Sequence, residues 1–390
     1  MRKMSEVVVI GGGCVGAAIA WRLTCRGVRD VQLLEKENLA SGSTGRSTAI
    51  IRTHYTHEVL ARIALEARII FERFVDEVGG DCGFRESGFL ILNPSADREV
   101  AAANVEMHRA IGIEASLLEP GDIRQIEPRI ATDDIGIAVW EPHSGQADPD
   151  GTTKAFAAAA RAGGAEVVTG VRVTGIRTSG HRVVGVSTDH GDVAAQHVVV
   201  ATGYWSASLL APLGVDLPIT PTGHTIATIR RPAGFGPPHP IVSDRVLGSY
   251  YMPEGESLTL VGTTGPDGSA VTNLEVQPTP ASQGFEQLAE RLLTRFPTVG
   301  DAELLGGWTG VYDCSPDLQP FLGPVPEWDG LHIAAGFSGH GFKLSPVAGD
   351  LVASGIVGSP RPELTFFSLS RFAANALITA ANTYSVPTLG

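Results

Sequence analysis

An apolar, strand-like run over residues 6–10 breaks into Gly11-Gly12-Gly13-Cys14-Val15-Gly16, and an amphipathic segment over 17–27 follows. A second apolar run over 31–34, closing on Glu35, completes a β-α-β pattern. The loop 40–48 is built of small residues that can lie against a ligand, and helical periodicity follows over 57–78. A strand is expected at 89–92, a helix at 97–111 and a strand at 135–140, so alternation weakens here. It returns with a helix at 151–162, a strand at 166–169, a hairpin around Thr178-Ser179-Gly180 and an apolar strand at 197–201. Residues 225–230, 249–252 and 258–262 have the β-rich composition of an antiparallel sheet. A helix at 281–295 separates them from a last strand at 331–334. That strand leads through glycines into a helix with Ser345 as expected N-cap and Pro346 as first residue. Beyond Arg371 the pattern is weak, and the tail reads as a surface appendage.

The expected fold class is α/β, with a discontinuous Rossmann-like domain and an α+β substrate domain containing an antiparallel sheet. The first is assigned residues 1–80, 148–213 and 315–371, the second 81–147 and 214–314, and 372–390 form the tail.

With 43% hydrophobic and 18% charged residues in 390, the chain is expected to be soluble and to bury a large core. The net charge of −13 argues against nucleic acid or an anionic membrane as partner. No apolar run is long enough to cross a bilayer, and the first one leads into the glycine motif rather than a cleavage site. Cys14, Cys25, Cys82 and Cys314 lack metal-ligand spacing, so a cytoplasmic location and no metal site are expected. Only Lys3, Lys36, Lys154 and Lys343 are lysines among 29 cationic residues, which makes Lys343, in an apolar glycine-rich run, conspicuous.

The glycine motif is a dinucleotide fingerprint in its required context. Gly11 permits the tight turn, Gly13 lets the backbone approach a pyrophosphate, and Gly16 lets the helix pack on the sheet, while Glu35 is placed for the ribose hydroxyls. An ordinary glycine-rich βα turn is the plain alternative. No second fingerprint follows a strand, which favours a small-molecule reductant over NAD(P)H. The strand ending in Ala201-Thr202-Gly203 shifts the reading from NAD toward FAD.

The opening fingerprint, the loop 40–52, Ala201-Thr202-Gly203, Ser315-Pro316-Asp317 and the run 335–343 resemble, in matching order, the D-amino-acid oxidase superfamily of FAD-dependent amine oxidoreductases. The nearest likeness is to the sarcosine oxidases, and it spans residues 1 to about 371. It implies FAD contacts at Gly11, Gly13, Cys14, Val15, Gly16, Glu35, Lys36, Ser43, Thr44, Arg46, Ser47 and Thr48. Further contacts are implied at Val173, Ala201, Thr202, Gly203, Trp205, Gly310, Gly339, His340, Gly341, Phe342 and Lys343. Arg52 and Lys343 match residues that bind the substrate carboxylate, and Tyr250 and His340 match a pocket tyrosine and the family histidine. The plain alternatives are an ion pair for Arg52, a packed tyrosine for Tyr250, and a loop-holding backbone hydrogen bond for His340.

Gly310 replaces the cysteine that links flavin in monomeric sarcosine oxidases, and Cys314 lies four positions late, so the FAD is expected to be non-covalent. Thr259 aligns with the oxygen-activating lysine, which implies a dehydrogenase or a slow oxidase. The resemblance also implies that the helix after Lys343 aims its N-terminus at the flavin pyrimidine edge. The expected reaction is oxidation of the C–N bond of a small amino-acid carboxylate, such as an N-methyl or cyclic amino acid, to an imine. Three alternatives stay open: a 2-hydroxy-acid oxidoreductase, an NAD dehydrogenase, and a flavin-carrying subunit in a hetero-oligomer. A homo-oligomer is equally compatible with the sequence.

Overall fold

Val7, Val8, Val9 and Ile10 are all buried, as are all five residues of the strand Val31–Glu35, because both strands lie inside a parallel sheet covered on both faces. The computed structural model describes residues 1–265, 270–275, 282–379 and 382–385. Met4–Ile10 pairs in parallel with Val31–Glu35 on one side and with Gly191–Val200 on the other, and Glu166–Thr169 extends the sheet. Gly191–Val200 divides its pairing. Its first half forms a hairpin ladder with Arg182–Thr188, and its second half lies parallel to Leu331–Ala335.

The helix Cys14–Cys25 is buried nearly all round rather than along one stripe. It lies against Pro149–Ala162 and Gly341–Ile356, and the latter approaches so closely that a Cβ at Gly349 would stand 2.8 Å from the Ala18 carbonyl carbon. The second sheet runs Glu303–Cys314, Thr220–Arg230, Leu258–Thr263, Ser249–Glu254, Ile241–Asp244, Phe89–Asn93, Ile137–Glu141, Ser116–Leu118. It is antiparallel except where Ile241–Asp244 meets Phe89–Asn93, and Leu288 and Leu292 of the helix Ser282–Arg295 pack into its core. No helix among the described residues is long and apolar enough to cross a membrane.

Two expectations are corrected and one element is added. The last long helix begins at Gly341 with His340 as N-cap, so Pro346 lies inside it and Ser345 is a buried helical residue. The strand Glu303–Cys314 escapes the sequence pattern because glycines dilute it; one of them, Gly307, lies where a Cβ would be 1.9 Å from the Ile226 carbonyl oxygen. Among the described residues the tail is not wholly a surface appendage, and residues 380–381 and 386–390 of it lie outside the described residues. Tyr384 is buried with its hydroxyl 2.8 Å from His54 Nε2, and Ser385 donates to the Asp97 carboxylate from both its N–H and its hydroxyl.

Candidate active site

Gly11, at φ 109°, turns the chain out of the first strand, and a Cβ there would meet the Ala201 carbonyl oxygen at 2.4 Å. Gly13 caps the helix that follows, which has no acidic residue in its first turn. The Cys14 N–H donates to Thr44 Oγ1 at 3.1 Å, and the remaining first-turn N–H groups and the positive dipole end border a cavity of about 510 Å³. Glu35 closes the second strand and accepts from Gly12 N at 2.6 Å and Glu37 N at 2.9 Å. Among the positions expected to hold the cofactor, this cavity is lined by Gly11, Gly13, Cys14, Val15, Glu35, Lys36, Ser43, Thr44, Arg46 and Ser47. Val173, Ala201, Thr202, Gly203, Trp205, Gly339, Gly341 and Phe342 complete that set.

The other expected positions lie elsewhere. Gly16 sits beneath the cavity, where a Cβ would come within 2.0 Å of the Gly11 carbonyl oxygen, so its part is packing. Thr48, His340 and Lys343 line a neighbouring cavity. Gly310 lines neither and faces Arg46 Cβ at 3.6 Å. Arg46 itself holds the loop, donating to the Ser41 and Gly42 carbonyls, and the Lys36 ammonium lies over the Trp205 ring at 3.8 Å. Val311, Tyr312 and Asp313 also line the nucleotide-type cavity. They come from the unrecognised strand, so no sequence signal pointed to them.

The neighbouring cavity, of about 380 Å³, adjoins the first at Ser47, Tyr312, Gly339 and Phe342. Arg52 and Lys343, 9% and 8% exposed, both line it. Arg52 lies on the Tyr55 ring at 4.7 Å, donates to the His54 carbonyl, and has no ion pair among the described residues. Lys343, from the first turn of its helix, makes no hydrogen bond or ion pair among the described residues. Burial, and then Arg52, push its ammonium well below its usual range. Among the described residues the one carboxylate bordering the cavity, Asp317, is held by Arg371 at 2.8 Å.

His340 is 1% exposed and is kept neutral by burial, then by Lys343 and Arg52. Neither ring nitrogen has a hydrogen-bond partner, so a loop-holding bond from this ring is not what the structure shows; the ring packs on Tyr55 at 5.4 Å. Tyr250 does line the cavity and lies over Gly262, with its hydroxyl 3.2 Å from His224 Nε2. His224, Arg245, Tyr312 and Tyr384 join the lining unannounced by any motif.

Thr259 requires a correction, because it lines neither cavity. It is fully buried, with its hydroxyl 2.9 Å from His239 Nε2 and 3.1 Å from Arg231 Nη1. On the same strand and face, Thr263 reaches the second cavity, but Thr259 lies four residues, about 13 Å, further along. Thr259→Lys is therefore expected to lower the melting temperature, by placing an unpaired ammonium beside Arg231, and to leave reoxidation in air unchanged. Faster reoxidation in this variant, by stopped-flow absorbance, would reinstate the alignment.

A glycine-lined cradle for a dinucleotide, opening onto a separate cation-bearing cavity, defines the class: an oxidoreductase that holds its cofactor beside its substrate. The chain belongs to the DAO family of FAD dependent oxidoreductases, whose family model matches residues 6–354. It is 31% identical to sarcosine oxidase subunit beta of Arthrobacter sp, over 97% of this chain and 93% of that protein. It is 30% identical to glycine oxidase of Geobacillus kaustophilus, over 95% and 98%. Human mitochondrial sarcosine dehydrogenase is 27% identical over 94% of this chain, which spans 41% of that longer protein. Among solved structures, L-proline dehydrogenase from P. horikoshii superposes with a TM-score of 0.88 at 30% identity, covering 97% of this chain and 100% of that one.

Proposed function

We propose that this FAD-dependent enzyme oxidises the C–N bond of a small amino acid, with secondary amines such as N-methyl or cyclic amino acids preferred. The observation that carries the reading is the pair Arg52 and Lys343, two buried cations lining one cavity next to the cofactor cradle, neither with an acidic partner among the described residues. Such a pair suits one carboxylate, since a carboxylate drawn from water needs charge-assisted hydrogen bonds and Arg offers a fork. The same positive field disfavours an ammonium on the substrate, so the nitrogen is held as the neutral amine that oxidation requires. Bound FAD supplies the two-electron acceptor. Among the described residues lining the cavity, none is assigned as an obligatory base, because His340 lacks any partner that would orient its ring.

The relatives support the substrate class, being named for sarcosine, glycine and proline. Anaerobic mixing of the flavin-loaded protein with a panel of amino acids, N-methyl amino acids and 2-hydroxy acids tests it. Bleaching of the flavin absorbance by secondary amines is expected, and bleaching by hydroxy acids alone would sink the reading. A second reading, a flavin-carrying subunit of a hetero-oligomer, is favoured by the likeness to a beta subunit over 93% of its length. Co-purification with a partner chain would select it.

Two further outcomes follow. The yellow colour is expected to leave the protein intact on acid precipitation, since the Cys314 thiol is pushed up by burial and is a poor nucleophile; colour retained in the pellet would show a covalent link. Binding of an inert carboxylate such as acetate is expected to weaken as pH rises. Lys343 has a depressed pKa in the free protein, and an anion favours its protonated form. Above the free-protein pKa, binding therefore takes up a proton, and affinity falls by up to about tenfold per pH unit. Below it the profile is flat. Lys343→Met should flatten the whole profile, as read by flavin difference spectra.

A further inference from the structure

Behind the Arg52 cavity, three buried side chains turn atoms with unshared electron pairs toward one point. His54 follows the strand Ile50–Ile51, His108 ends the helix Arg98–Ala110, and Glu141 ends the strand Ile137–Glu141. They are 4%, 0% and 1% exposed. His54 Nδ1 lies 3.5 Å from Glu141 Oε1, and His108 Nδ1 lies 3.9 Å from the same oxygen. The ligand atoms of the three residues all lie within 4.8 Å of one another. None of these three atoms has a hydrogen-bond partner among the described residues.

Every other polar atom of the cluster is engaged. His108 Nε2 lies 2.8 Å from the Tyr55 carbonyl oxygen, which can only accept, and 3.4 Å from the Tyr55 N–H; the shorter contact favours the proton on Nε2. In neutral His108 the Nδ1 lone pair then faces a carboxylate oxygen. His54 Nε2 bonds the Tyr384 hydroxyl at 2.8 Å. Glu141 Oε2 accepts from the Thr53 N–H at 3.1 Å, the Thr53 hydroxyl at 2.9 Å and the Ser144 hydroxyl at 2.9 Å. Glu141 Oε1 and the two Nδ1 atoms thus converge, each group oriented from behind by a further hydrogen bond, and the Tyr384 hydroxyl, which can donate or accept, allows His54 to present a lone pair at Nδ1. That is how imidazole and carboxylate ligands of metal ions are normally held.

We propose that His54 Nδ1, His108 Nδ1 and Glu141 Oε1 bind a first-row divalent cation, with zinc the best match to two imidazoles and one carboxylate. Ligand bonds of about 2.0–2.2 Å around a tetrahedral ion put its donors roughly 3.3 Å apart, so the two separations from Glu141 Oε1, 3.5 and 3.9 Å, are close to that spacing, while the two imidazoles, within 4.8 Å of each other, have to draw together around the ion. Three protein ligands leave one position for solvent. The ion ties three separate segments together immediately behind Arg52, whose guanidinium donates to the His54 carbonyl. The expectation of no metal site rested on cysteine spacing and could not see this one, because the ligands lie 54 and 33 residues apart in the sequence. The rival is an imidazolium at His108 that supplies the missing proton.

The test uses the flavin-loaded full chain, incubated with Zn²⁺, freed of unbound metal by gel filtration, and assayed by mass spectrometry for zinc. About one tightly held zinc per chain is expected in the wild type, with a nitrogen- and oxygen-only shell by X-ray absorption. Zinc should also raise the melting temperature. Glu141→Gln and His108→Gln, each checked for folding by its flavin spectrum, should lose both the zinc and the thermal shift. A wild type holding less than about a tenth of an equivalent overturns the proposal. So does unchanged zinc in both variants, a sulfur-containing shell, or an NMR signature of a protonated His108 in metal-treated protein.

Discussion

Replacing Arg52 or Lys343 by alanine is expected to weaken binding of carboxylate substrates by about 2–5 kcal/mol each, because the ligand's charge is left buried without its partner. That is a factor of roughly thirty to several thousand in Kd. Flavin content should stay at the wild-type level, since both side chains line the substrate cavity and neither lines the nucleotide cradle. The two effects should not add. Arg52 is one of the causes that depress the Lys343 ammonium, so removing it raises that pKa and shifts the fall of acetate affinity to higher pH. Isothermal titration with a slow substrate or acetate, with the flavin-to-protein absorbance ratio measured on the same samples, separates the outcomes. Wild-type affinity in either variant, or a loss that tracks lost flavin, would remove the carboxylate-binding role.

How much of this could be read from the chain depended on whether the determining contacts were local. The central strands were legible because burial on both faces writes an unbroken apolar run, as in Val7–Ile10. The glycine-lined cavity was legible because its turn, its helix start and Glu35 fall within one β-α-β unit. The substrate cavity was legible only in part. Arg52 and Lys343 were marked by the family pattern and by the rarity of lysine, whereas His224 and Arg245 reach the cavity through strand register in the second sheet. Register also undid Thr259, for a shift along one strand keeps the face and loses the site. Tyr384 was invisible for another reason: its partner His54 lies 330 residues away, and a single tyrosine in a weakly patterned tail carries no periodic signal.

Gly13→Val is expected to abolish retention of FAD while leaving the fold intact, a separation that its neighbours in the same motif cannot provide. At Gly11 a side chain is opposed twice, by a φ of 109° and by the Ala201 carbonyl oxygen 2.4 Å from the Cβ position, and at Gly16 the Gly11 carbonyl oxygen stands at 2.0 Å. Substitutions at those two positions should fail in folding. Gly13, by contrast, has φ −75° and ψ 176°, an extended conformation that valine adopts without strain. Apart from its chain neighbours, the sole heavy atom among the described residues within 4 Å of its Cβ position is Thr44 Oγ1, at 3.1 Å. The branch would enter the cavity between the helix N-terminus and any anion drawn to it, lengthening every N–H contact to the pyrophosphate. Purified Gly13→Val should be colourless, with wild-type far-ultraviolet circular dichroism and a melting temperature matching that of flavin-stripped wild type. Stoichiometric flavin in this variant would mean that the pyrophosphate lies elsewhere, and a collapsed circular dichroism spectrum would mean that Gly13, like Gly11, is required by the fold itself.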